Sequence, residues 1–221
     1  MLNKNHYYCF DKVKPYYRGV IHKYAFICSP VYWYIILSNS TNYYSTLYSI
    51  LSLSSISGLF LCSFLYHCWD YKQNVISLEI TFLSLDISFI SFVISFALAP
   101  CYIFLINSKY VILYSFILTL YTFIINFVSL YKTNKCNVNN FIAQTIFTNF
   151  YLIFIDFSYF ELILITFSAL LLFIGSQIYY YEYPNPYPLI FGYHEIWHLL
   201  IVIALMSIMF VNYSVIVRYK N

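Results

Sequence analysis

Long apolar runs alternate along the chain with short polar clusters. An α-helix crosses the hydrocarbon of a bilayer with about 20 mostly apolar residues, and seven runs of roughly that length can be marked out. The first is predicted over about 20–37, stopping at Ser38-Asn-Ser-Thr-Asn42. The second covers about 46–66, and a polar link with Asp70 and Lys72 follows over 68–77. The third covers about 78–99, with Pro100 near its end, and the fourth about 111–131. After the loop Lys132-Thr-Asn-Lys-Cys-Asn-Val-Asn-Asn140 come a fifth run over about 141–157 and a sixth over 161–181. The stretch Glu182-Tyr-Pro-Asn-Pro-Tyr-Pro188 must turn, because its prolines lack donors and block helix. The seventh run covers about 192–217. The expected fold is an all-α, seven-transmembrane-helix bundle, with residues 1–18 as a short tail and 19–221 as one domain. No internal repeat of the kind seen in duplicated transporters is visible.

Composition agrees with the pattern. Hydrophobic residues make up 62% of the 221 residues and charged ones 9%, against about 45–50% and 25% in a soluble domain. A core of this size cannot hide so much apolar surface from water. An ordinary cytosolic enzyme and a disordered chain are excluded. So is a nucleic-acid-binding module, because 11 scattered basic residues form no patch. An integral, multi-pass location is expected. Tyr (27) and Phe (22) are so abundant that aromatic stripes are read as lipid-facing filler. The six cysteines include no C-x-x-C pair and are read as buried apolar thiols. The N-terminal residues mix Lys4, Asp11, Lys12, Lys14 and Arg18 with polar residues, unlike a cleaved signal.

Lys and Arg tend to stay on the cytosolic side. With seven spans and the N-terminus inside, the inner side holds Lys4, Lys12, Lys14, Arg18, Lys23, Lys72, Lys132 and Lys135. The outer side holds Lys109, Arg218 and Lys220. This asymmetry predicts a cytosolic N-terminus and an outer C-terminus.

Ionisable residues inside a bilayer are costly and call for a reason. In this topology His67 closes the second span, Asp86 lies early in the third, and His194 and His198 open the seventh. All four are expected at one depth, toward the cytosolic side. His194 and His198 are i, i+4 and share a helix face, the spacing by which a helix offers two imidazoles to one metal. With His67 they form a three-histidine set that leaves one zinc position open, the pattern of a catalytic site. Zinc acidifies water and polarises a carbonyl. Asp86 would hold the water or accept its proton, and Ser63, one turn before His67, would donate a hydrogen bond. Each has a plainer alternative: interfacial histidines, a helix-packing aspartate and a packing serine. Cys62 and Cys68 are alternative ligands or packing thiols. Glu195 is expected to face away from the metal and to cap or neutralise its helix start. His22 is read as a core or interfacial histidine, with support of a ligand as the lesser alternative, and His6 is uninformative.

Four stretches, taken in order, resemble the haemolysin III family of the progestin and adipoQ receptor superfamily. They are Lys14-Pro-Tyr-Tyr-Arg-Gly-Val-Ile-His22, Ser63-Phe-Leu-Tyr-His67, Ser84-Leu-Asp-Ile-Ser88 with Ala99-Pro100, and Pro184-Asn-Pro-Tyr-Pro-Leu-Ile-Phe-Gly-Tyr-His-Glu-Ile-Trp-His198. The resemblance implies a seven-helix bundle with a cytosolic N-terminus and zinc ligands at His67, His194 and His198. It also implies Asp86 and Ser63 as partners of the water. The chain departs from the family in a sixth helix that keeps only Gly175, in a third helix lacking the usual glycine at its end, and at Ser207-Ile208.

The resemblance leaves three functions open. One is hydrolysis of a membrane lipid amide, ceramide-like, at the zinc site. The second is a pore or cytolysin, lysis then coming from homo-oligomers or from overloading of a host membrane. The third is a receptor or scaffold in which zinc only ties helices together.

Overall fold

A computed structural model describes residues 15–69, 76–105, 108–133 and 135–220. His6, Lys4, Lys12, Lys14, Asp70 and Lys72 lie outside the described residues, as do most of the tail 1–18 and of the link 68–77. The chain forms α1 (Val20–Asn39), α2 (Tyr43–Cys68), α3 (Ile76–Ser88) and α4 (Ile90–Phe96), then a 3-10 turn (Ala99–Phe104). There follow α5 (Ser108–Thr133), α6 (Val138–Asn149) with a 3-10 turn (Phe150–Phe154), α7 (Tyr159–Tyr181) and α8 (Tyr193–Lys220). Among the described residues there is no β-strand, only one isolated bridge between Tyr187 and Phe191.

Local chemistry sets the boundaries. Asn42 and Ser45 form a reciprocal capping box at the start of α2, and Ser158 and Glu161 form another at α7. Each satisfies donors that an opening helix turn leaves free. In the predicted third span, α4 ends at Phe96 and Pro100 falls at the start of the 3-10 turn, where its missing N–H costs nothing.

Among the described residues, six segments are long and apolar enough to cross a membrane: 20–39, 43–68, 77–104, 108–133, 159–181 and 193–220. They match six of the seven predicted runs. The fifth run is instead α6 and its 3-10 turn. The 12 residues of α6 rise about 18 Å, and the 5 of the 3-10 turn add about 10 Å. Its polar residues turn inward rather than lengthening an apolar rod. The Gln144 amide donates to Ser91 O and Ser95 Oγ, both at 2.8 Å, and Asn149 donates to Ile94 O at 3.2 Å.

The bundle interior is rich in such bonds. Asn212 of α8 donates to Ser52 Oγ of α2 at 2.9 Å and to Ala97 O at 2.8 Å, and Thr119 of α5 donates to Ser95 at 2.5 Å. Between helices surrounded by lipid, packing and hydrogen bonds hold what water would otherwise drive together, at about 0.6–2 kcal/mol per bond. Large apolar residues point outward, among them Tyr34, Phe154, Ile163 and Phe173. Cys101 is buried while Cys28 is exposed, so the expectation of buried thiols holds for the first and not the second. An outward face made of apolar groups accepts a thiol as readily as the core does. The α7 glycine that remains has a packing role: a Cβ on Gly175 would lie 2.3 Å from the Trp197 ring of α8. Trp197 therefore seats directly on the α7 backbone.

Candidate metal centre

At one end of the bundle, α2 finishes and α1, α3 and α8 begin within a few turns. The proline-rich turn brings the chain into α8 so that the first turn carries Tyr193 and His194. Glu195 is buried, and its Oε2 accepts the Gly192 N–H at 2.7 Å, so it caps α8 as expected. It also has a partner that sequence reasoning missed. Its Oε1 accepts from Arg18 Nε at 2.5 Å, across 177 residues of chain. Arg18 belongs to a strap that leads into α1. The strap's backbone is held by Tyr16 N–H to Leu189 O (3.0 Å) and Tyr17 N–H to Ile190 O (3.2 Å). Next in the strap is Gly19, with φ of 77°. A Cβ there would stand 2.6 Å from His67 Cβ and 2.9 Å from Cys68 Sγ. Only glycine lets the strap lie on His67.

The structure brings the predicted residues together. The rings of His194 and His198 stack with centroids 4.6 Å apart and an interplanar angle of 22°, the geometry of an i, i+4 pair on one helix face. The His67 ring stands edge-on to both, with centroids 4.9 Å from each. One ligand atom from each of the three lies within 4.8 Å of the other two. His67 and His198 are buried and His194 is half-buried. Nitrogens on one tetrahedral zinc stand about 3.3 Å apart, so inward shifts of about an ångström complete the set. Three imidazoles converging from two helices form a donor set that fits a divalent metal such as zinc. Among the described residues the group consists of these three histidines. Cys62 and Cys68 are not part of it, and the Cys68 thiol instead faces Arg18 O at 3.7 Å.

Asp86 and Ser63 also reach this place. Asp86 Oδ2 is 3.6 Å from His67 Nε2, a charge-pairing distance longer than a direct hydrogen bond. The Ser63 hydroxyl is buried and neighbours the Asp86 carboxyl, yet it closes no hydrogen bond. His22 of α1 adds what the sequence offered only as a lesser alternative. It is buried, with its Nδ1 at 3.0 Å from His198 Nδ1. The available signal was its place one turn into the first span, level with the other histidines.

A family model described as haemolysin-III related matches residues 10–209 of the chain. No curated protein sequence matches it.

Proposed function

The chain belongs to the haemolysin-III related family, and from that premise we propose that it is a zinc-dependent hydrolase of a membrane lipid amide, ceramide-like in chemistry. It is an integral, multi-pass membrane protein. In this reading α6 with its 3-10 turn completes seven crossings, the N-terminus is cytosolic, and the histidine end faces the cytosol. The observation that carries the reading is the convergence of His67, His194 and His198 within 4.8 Å, with Asp86 3.6 Å from His67.

His67, His194 and His198 would hold the zinc. When bound, zinc supplies a Lewis acid that polarises a carbonyl oxygen and acidifies water. Asp86 is placed to orient the attacking water, take its proton and return it to the leaving amine, the work of a general base and acid. The Ser63 hydroxyl, free of other partners, is available to donate to Asp86 or to the lipid carbonyl. The strap over His67, pinned by Arg18 and Glu195, fixes the ring and covers that flank.

The test is the metal content of detergent-purified protein, wild type beside the His194→Ala/His198→Ala double variant, followed by hydrolysis of a fluorescent ceramide. About one zinc per chain, absent from the double variant together with turnover, is the expected result. Well-folded wild type without metal overturns the reading.

A further inference from the structure

Every imidazole has two ring nitrogens, and a metal takes one of them. The other decides which tautomer the ring adopts and how firmly it is aimed. For His198 that second nitrogen is already engaged: His198 Nδ1 and His22 Nδ1 are 3.0 Å apart, both rings buried, with centroids 4.1 Å apart. The two nitrogens can share only one proton. A ring that gives Nε2 to a metal carries its proton on Nδ1, so His198 donates and His22 accepts. The proton of His22 then sits on Nε2, which is buried without a partner. The ring of His22 is further confined by Phe60, at a centroid distance of 5.3 Å. A buried donor left unpartnered in this way needs a reason, and the bond to His198 supplies one.

We infer that His22 is a positioning residue of the metal centre: it accepts the Nδ1 proton of His198, locks that ring's tautomer, and so presents Nε2 to the ion. The role links α1 to a site whose ligands come only from α2 and α8. It rests on the reading that His67, His194 and His198 hold a divalent metal.

The experiment measures zinc affinity by competition with a chromophoric chelator, and the visible spectrum after cobalt substitution. It compares wild type with His22→Phe, His22→Gln and the His194→Ala/His198→Ala double variant. Phenylalanine preserves ring volume beside Phe60 but accepts nothing. Glutamine restores an acceptor oxygen. The expected result is a 10–100-fold loss of affinity in His22→Phe, recovered in large part by His22→Gln. The cobalt spectrum of His22→Phe should keep the intensity of an unchanged ligand number. Wild-type affinity in a folded His22→Phe overturns the inference, and so does a glutamine variant as weak as phenylalanine. A cobalt spectrum showing one ligand lost also overturns it, because His22 would then bind the ion itself. If the double variant binds metal as wild type does, the underlying metal reading falls. If the double variant loses metal while His22→Phe does not, only the role of His22 falls.

Discussion

The two ends of the bundle use the same device and finish it differently. At one end, buried Glu161 caps α7: its Oε2 accepts Ser158 N–H at 2.8 Å and lies 3.0 Å from Arg218 Nη2. Its Oε1 accepts from Ser214 at 2.9 Å. Arg218 also donates to Asp156 O at 2.7 Å and lies over the Phe104 ring at 4.6 Å. At the other end, buried Glu195 caps α8 through Gly192 and pairs with Arg18. Beside Glu161 the polar groups answer one another. Around the histidines they do not: Ser63 Oγ and His22 Nε2 are buried without partners, and Asp86 stands 3.6 Å from His67. Leaving a buried polar group unpaired costs about 1–3 kcal/mol. A capped, arginine-paired glutamate thus serves both ends, and the histidine end adds a cluster of ionisable groups whose remaining nitrogens and oxygens can take a further partner.

The comparison is sharpened most by Asp86→Asn. It removes the proton carrier without touching the three imidazoles. Zinc content should stay at the wild-type value while turnover falls about 10²–10⁴-fold. Retained turnover would leave zinc as a tie between helices and make both ends structural.

Glu161→Ala and Glu195→Ala then test whether the ends are separable. Each breaks an ion pair and removes a cap, so each should lower stability by about 1–2 kcal/mol, read as melting temperature in detergent. Only Glu195→Ala should also weaken zinc affinity, by about tenfold or more, because Glu195 caps the helix turn that carries His194. Equal weakening by Glu161→Ala would show that the centre depends on overall stability alone.

The smallest effect on zinc affinity is expected from Gly19→Ala. The left-handed backbone of Gly19 costs alanine about 1–2 kcal/mol, and the added methyl meets His67 Cβ at 2.6 Å. A loss of stability beyond the backbone cost alone, with a several-fold loss of zinc affinity, should result. Unchanged affinity would mean that the strap does not position His67.

Much of this was legible in the one-dimensional pattern. Six of the seven runs are helices near their predicted bounds, since about 20 apolar residues in lipid must close their own hydrogen bonds. The run around 141–157 is α6 and its 3-10 turn, and apolar content hides where Gln144 and Asn149 point. The bonds of Gln144 and Asn149 to α4 and α5 are made only once the helices are packed. The histidine set was legible because two of its members are i, i+4 and span direction placed the third at the same depth. Arg18 and His22 were seen as a basic residue and an interfacial histidine. Their partners, Glu195 and His198, lie 177 and 176 residues away, and no periodicity reaches that far.

The sequence by itself determined the solvent, the helices and the types of donor that could meet a metal, because hydropathy and local spacing act over a turn or a span. Only the tertiary structure decided which nitrogen of His198 is left free, that Glu195 answers to Arg18, and that Gly19 must lie on His67. Those are matters of contact between distant helices, fixed at the scale of an ångström by packing.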